Sequence, residues 1–433
     1  MRAYSGEGAG GNDSSRRWLD ASMRPVVSLI LFVAAAGCAT VAATEGSTIT
    51  RIAPVNTLVS APPAAAGMSG NLNATLDSII ASALAEGAAP GATLAVGRYG
   101  RLVHLKAYGR LDTAVASAPV DVNTIFDMAS LTKVIATTTT AMILEEQGVL
   151  DLDRTIASYL PGFNAPDKAP ITMRMAMTHR GGLEAFAPLF RTFRGRDQYL
   201  QQINQRPLKA VPGTTTIYSD WEMILTQLVL ETITGVPLDR LADEKVFRPL
   251  GMTSTRFNPD SSLKALIAPT EIDTTRGGLV WGRVHDENAD AMGGVAGHAG
   301  LFSTVGDVAI FAQMLLNGGQ YNGVRIVSPT TVARWTAPQI RGSSRALGWD
   351  TPSTVSSAGR FFSPRSFGHT GFTGTSMWID PTRDLFVILL TNRVNPTREN
   401  TRVFALRRAV ADAVQQSITN APLVDWDTAG ARK

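Results

Sequence analysis

The chain has 433 residues, of which 44% are hydrophobic and 18% charged, with a formal charge of +4. That much apolar material builds a sizeable core and excludes a chain disordered along its whole length. Basic residues exceed acidic ones only as 40 to 36, and no Lys/Arg cluster is interleaved with aromatics, so no nucleic-acid partner is expected.

The first 38 residues read as a signal segment. Gly6, Gly8 and Gly11 match the dinucleotide-binding glycine spacing in letters only, because no strand precedes them and no helix follows. Met23-Arg24 offers a basic start, in which case the preceding 22 residues need not be translated. The apolar stretch Pro25 to Ala36 is too short to span a bilayer and suits the core of a secretory signal. It ends in Ala35-Ala36-Gly37-Cys38, which resembles a bacterial lipoprotein signal with Cys38 as the lipidated residue. An ordinary signal peptide cut near the alanines is the alternative. Cys38 is the only cysteine, so no intramolecular disulfide can form. The expectation is an exported, periplasmic protein that meets the membrane only through an N-terminal lipid.

Residues 39–70, rich in Ala, Thr, Ser and Pro, read as a flexible linker. Leu72 to Leu84 carries apolar residues at helical intervals. Ala92 to Val96 and Leu102 to Tyr108 flank Tyr99-Gly100-Arg101 as a strand hairpin, with His104 half exposed on its second strand.

Ser130 and Lys133 come next, one helical turn apart, opening the apolar helix Leu131 to Gln147 that Gly148 closes. A serine hydroxyl is a weak nucleophile until a neighbour takes its proton, and residues i and i+3 share a helix face. The helix start adds backbone N–H groups and partial positive charge that favour an oxyanion. A helix N-cap followed by an exposed lysine would spell the same letters. Ser261 to Lys264 repeats the spacing, but it follows the turn Asn258-Pro259-Asp260 and runs into Pro269.

Tyr218-Ser219-Asp220 follows the turn Pro212-Gly213-Thr214 and precedes the helical run Trp221 to Thr234. His179-Arg180-Gly181 and His298-Ala299-Gly300 sit in Gly-rich turns and suit loop bracing, and His285-Asp286 could line a cleft. Asp307 to Asn317 reads as a further helix. His369-Thr370-Gly371 precedes two strands, Thr375 to Ile379 and the apolar run Leu385 to Thr391, joined by a turn over Asp380 to Asp384. Arg398 to Gln416 reads as a terminal helix with Val403, Leu406, Val410 and Val414 on one face. The five histidines form no zinc spacing, and no metal or cofactor is expected. No Gly-x-Ser-x-Gly elbow occurs, which weakens an α/β-hydrolase reading.

Ser-x-x-Lys, Tyr-x-Asp and His-Thr-Gly, in this order and widely separated, resemble the hallmarks of the class C β-lactamase and D,D-carboxypeptidase superfamily of serine hydrolases. Thr178 to Leu183, Phe247 to Met252 and Gly293 to Thr304 are similar to that family's secondary phrases. The resemblance implies an α+β fold over 71–417, with an antiparallel sheet flanked by terminal helices and a mainly helical region, then a tail over 418–433. It implies Ser130 as nucleophile, Lys133 as base or as the electrostatic partner of a base, and Tyr218 as proton shuttle, although a packing tyrosine before a helix would look alike. It further implies an oxyanion hole from the Ser130 and Phe372 N–H groups. His369 and Thr370 would face a substrate carboxylate, with Gly371 allowing close backbone approach.

Asp220 stands where the family usually has Asn. An acceptor-only carboxylate cannot donate to a substrate amide, which argues against β-lactam turnover and leaves acyl-serine chemistry intact. The expected function is an exported serine acyl-hydrolase, D-alanyl-D-alanine carboxypeptidase-like or esterase-like. The alternatives are a β-lactamase and a non-catalytic protein that binds peptidoglycan fragments or β-lactams. Its partners would be small peptides, esters or β-lactams, and peptidoglycan.

Overall fold

Strand pairing brings the two ends of the chain together. The computed structural model describes residues 56–114 and 116–430; the signal segment with Cys38 and the first part of the linker lie outside them. One sheet holds β1 (Val59–Ser60), β2 (Gly91–Arg98), β3 (Arg101–Gly109), β4 (Phe367–Thr370), β5 (Ser376–Asp380) and β6 (Leu385–Thr391). Their order is β1-β3-β2-β6-β5-β4. All neighbours are antiparallel except β1, which runs parallel to β3. Tyr99 at φ 53° and Gly100 at φ 72° make the tight β2–β3 turn, with the two positive φ angles such a hairpin needs.

Alternation along the strands feeds two cores. Leu94, Val96, Leu385, Val387, Leu389 and Trp378 pack with α1 (Leu72–Ala85) and α5 (Val403–Gln416) through Leu76, Ile80, Leu406 and Val410. Ala95, Met377, Ile379, Phe386 and Ile388 face the larger core of the helical region. Both faces of β6 are therefore covered, and that is why it reads as an unbroken apolar run.

The helical region is built on α2 (Thr139–Glu146), α3 (Asp220–Thr234) and α4 (Val305–Leu316). The chain enters α2 through wide turns over Lys133–Thr138, where Thr139 Oγ1 donates to Val134 O at 2.8 Å. None of the described helices is long and apolar enough to cross a membrane.

Several expectations need correction. From residue 56 the supposed linker is part of the fold: Val59 N donates to Gly100 O at 3.1 Å, and Ala66 and Met68 are buried. The tail beyond residue 417 also packs, with Ile418 bridging to Met68 and Trp426 N donating to Arg360 O. His104 is buried, not half exposed; it bonds Asn73 and Tyr108, and burial pulls its pKa down to about 4. His369 does not merely precede strands but lies in one, β4, which the short polar segment did not announce. The terminal helix starts at Val403 because Arg398 is used otherwise, its backbone and side chain both bonding Glu271.

Candidate active site

The turn before Ser130 is held in an unusual shape. Ala129 has φ 45°, a left-handed conformation that costs a residue with a Cβ roughly 1–2 kcal/mol. Asp127 secures it by accepting from Ala129 N at 2.8 Å and, on its other oxygen, from His285 N at 2.7 Å. Thr373 Oγ1 donates to Asp127 O and Thr375 Oγ1 to Met128 O, at 2.7 and 3.0 Å, which ties the loop after β4 to the same turn. Ser130 thus starts the helical segment on a braced support.

Lys133 is fully buried. Its Nζ lies 2.8 Å from Ser130 Oγ, 3.1 Å from His298 O and 2.8 Å from Asp220 Oδ1. Burial alone would lower its pKa, but Asp220 and Tyr218 outweigh it and push Lys133 above the ordinary lysine value. Lys133 is a cation with its N–H groups already engaged. Of the two roles expected for it, the geometry favours the electrostatic partner over the base. Because Lys133 donates to Ser130 Oγ, the hydroxyl proton of Ser130 must point elsewhere.

Tyr218 is the group beside it. The Lys133 ammonium sits 5.0 Å from the centre of its ring, and the Arg345 guanidinium 4.9 Å from it. The His179 and His369 rings pack at 4.7 and 5.8 Å. Ser219 is the extended residue before α3, and its Oγ donates to Glu184 O at 2.6 Å, which fixes the entry of Tyr218 and Asp220. Beneath them Glu222 is wholly buried and accepts from Gly181 N at 2.6 Å, with His179 Nδ1 3.1 Å away. Burial pushes Glu222 well above and His179 well below their usual ranges, so the pair is neutral. The Thr178–Leu183 phrase is a brace for Tyr218.

His369, Thr370, Gly371 and Phe372 line the same cleft as Ser130, a cavity of about 590 Å³. A Cβ on Gly371 would meet Met128 O at 2.6 Å and Thr375 Oγ1 at 2.1 Å, so only glycine lets this strand end lie against the turn before Ser130. Among the described residues neither Ser130 N nor Phe372 N is bonded to a backbone or side-chain acceptor, as an oxyanion hole requires. Burial, with Lys133 and Arg345 nearby, pulls His369 down to about 3. It is neutral, and its Nδ1–H donates to Thr370 O at 2.8 Å. It can offer a hydrogen bond or a lone pair to a substrate, but no charge.

Charge comes from arginines that the motifs did not flag. Arg407 donates to Gly371 O and Thr375 O, both at 2.7 Å, Arg393 is spent on backbone carbonyls including Phe372 O, and Arg398 on Glu271 and Glu287. Arg345 differs: its only ion pair among the described residues is a loose one, 4.0 Å from Asp350. Arg407 left a signal in the sequence, a charge on the apolar stripe Val403-Arg407-Val410-Val414. Arg345 left none. Ser261 and Lys264 lie apart from this cleft, Ser261 exposed and Lys264 stacked 5.0 Å from the Trp281 ring centre. His285 and Asp286 do line the cleft, His285 stacking on Phe372 with ring centres 5.7 Å apart.

Comparison with known proteins gives the family and the fold. Residues 76–412 match the protein family described as Beta-lactamase. A protein of Escherichia coli O157:H7 named "Putative D-alanyl-D-alanine carboxypeptidase" is 37% identical over 344 residues, covering 70% of this chain and 78% of its own. The solved structure of "EstCE1, a hydrolase with promiscuous acyltransferase activity" superposes with a TM-score of 0.66 at 24% identity, covering 79% of this chain and 98% of that one. A penicillin-binding protein homologue from Caulobacter crescentus gives a TM-score of 0.64 at 19% identity, covering 80% and 99%. These structures share the fold. With the family match running through nearly all of the described chain and a relative 37% identical over the 344 residues aligned, the protein belongs to the Beta-lactamase family and is a serine hydrolase of it.

Proposed function

We propose that this hydrolase forms an acyl-enzyme at Ser130 and removes the terminal residue from peptides ending in D-alanyl-D-alanine. The observation that carries the reading is the cationic Lys133 donating to Ser130 Oγ beside Tyr218. Ser130 Oγ adds to the scissile carbonyl carbon while its proton passes to Tyr218, which enters this step as the phenolate beside the Lys133 ammonium. The Ser130 and Phe372 N–H groups receive the oxyanion. Collapse breaks the C–N bond, and Tyr218 returns the proton to the leaving amine. Water then repeats the sequence, releasing the acid and restoring Ser130.

Arg345 supports a substrate with a free carboxylate, since its planar fork lines the cleft and, among the described residues, its side chain is held only by the loose ion pair with Asp350 and by stacking on Tyr218. The name of the E. coli relative supports the same class. Phe186, Phe372 and Phe404, each about half exposed at the cleft, favour a second reading, an ester with an apolar acyl group. Export, and an anchor through lipid on Cys38, are the proposal that the residues before 39 support.

The test is incubation with a fluorescent penicillin followed by intact-mass analysis, alongside turnover of a D-alanyl-D-alanine peptide and of a short-chain ester. A stable adduct with peptide turnover supports the carboxypeptidase. Rapid adduct loss means a β-lactamase, and ester turnover without adduct means an esterase. Neither adduct nor turnover would favour the binding-protein alternative. Ser130→Ala should abolish labelling and turnover, and Ser261→Ala neither; a label on Ser261 would overturn the assignment.

A further inference from the structure

Lys133 has three N–H groups, and one goes to a backbone carbonyl, His298 O, at 3.1 Å. That carbonyl sits in a loop with little intrinsic stiffness, between Gly297 and Gly300 and after Gly293 and Gly294, three of these glycines at positive φ. Something must hold it. The His298 ring is buried, and its Nε2 lies 2.8 Å from Asp286 Oδ1. Asp286 is in turn fixed, because the same oxygen accepts from Ala289 N at 2.8 Å and caps the short helix Glu287–Ala291. One side-chain oxygen of Asp220, one of Asp286 and a ring nitrogen of His298 lie within 4.8 Å of one another. Asp286 therefore stands as a second carboxylate beside the lysine that Asp220 already pairs.

We infer that Asp286 and His298 are positioning residues for the nucleophile: the ring anchored on Asp286 aims the His298 carbonyl at Lys133, and the Asp286 charge joins Asp220 in keeping that lysine cationic. The inference rests on the reading of Ser130 as nucleophile. Every charged or titratable group around Lys133 has a definite sense. Asp220 and Tyr218, at the start of α3 and just before it, favour the cation, as does Asp286. Arg345 and the neutral His179 and His369 face the same space, and Arg345 opposes a second positive charge. Asp127, under the turn, faces Asp286 and His285. Burial would raise Asp286, yet His298 and Lys133 outweigh it and hold it well below the usual carboxylate range.

Two substitutions separate position from charge. Asp286→Asn keeps an oxygen to accept from the His298 ring and removes the charge; Asp286→Ala removes both. The readouts, on the whole protein, are kcat and KM for a neutral short-chain ester across pH, with melting curves to establish folding. For Asp286→Asn the expected result is a KM within about twofold of the parent and an alkaline limb of kcat moved down by about one pH unit, the usual scale for losing one nearby opposite charge. For Asp286→Ala kcat should fall a further tenfold or so, the scale of one misplaced charge-assisted hydrogen bond. A loss of kcat in folded Asp286→Asn with an unmoved alkaline limb, or no change in either variant, would overturn the inference. Failure of the Ser130 reading shows separately, as an absent or misplaced mass adduct in the parent protein.

Discussion

Asp220→Asn perturbs two things at once, and the structure separates them. Asp220 Oδ1 is 2.8 Å from the buried Lys133 ammonium, with 18% of the Asp220 side chain exposed on the cleft side. The asparagine introduced there keeps an oxygen for Lys133 and turns its NH₂ towards the cleft, where the carboxylate offered only an acceptor. Replacing a charged by a neutral hydrogen bond to Lys133 costs about 1–1.5 kcal/mol, the gap between the two classes. That loss lowers the melting temperature by only about 1–1.5 °C per kcal/mol in a chain of this size. It also slows every substrate that depends on Lys133, and by a similar factor. The new donor helps only a substrate with a side-chain amide. A neutral hydrogen bond of about 0.5–1.5 kcal/mol corresponds to a gain of a few-fold to tenfold in acylation by a penicillin relative to a short-chain ester. The assay is the ratio of the two second-order rate constants in variant and parent. A ratio that stays flat or falls would mean that residue 220 does not meet the substrate amide and that its carboxylate serves Lys133 alone.

Gly371→Ala drives a methyl group into Met128 O and Thr375 Oγ1, so the β4 end must retreat from the Ser130 turn. The expected cost is about 1–3 kcal/mol of stability, seen by denaturant titration, with kcat down about 10²–10³-fold because the Phe372 donor moves off the oxyanion; unchanged kcat would refute the placement of that donor. His369 and His104 should remain neutral down to about pH 4 or below, giving flat ring NMR shifts between pH 9 and 5. Their folded pKa values lie below the unfolded value of 6.5, so the unfolded chain takes up protons first, and stability falls as pH drops from 6.5 towards 3–4. His104→Gln should flatten that fall, and a His369 that titrates near pH 6.5 would restore the option of a charged carboxylate partner.

Much of this protein is legible in its letters. The apolar run of β6, the hairpin around Tyr99-Gly100, the helix after Ser130 and the order of Ser130, Lys133, Tyr218 and His369 are local patterns, and local periodicity and turn chemistry write them directly. What the chain could not disclose is what lies far apart in sequence and close in space. His104 sits on a polar-looking strand, yet α1 covers it through Asn73. Residues 56–70 have linker composition, yet β1 pairs beside Arg101 and Leu102. Ser-x-x-Lys left the protonation of Lys133 open; Asp220, 87 positions on, decides it through one 2.8 Å contact. His298, 165 positions on, supplies a carbonyl that no motif records because any residue has one. Side-chain identity fixes which chemistry is available, whereas charge state depends on burial and on the nearest opposite charge, and those are set only when the chain closes on itself.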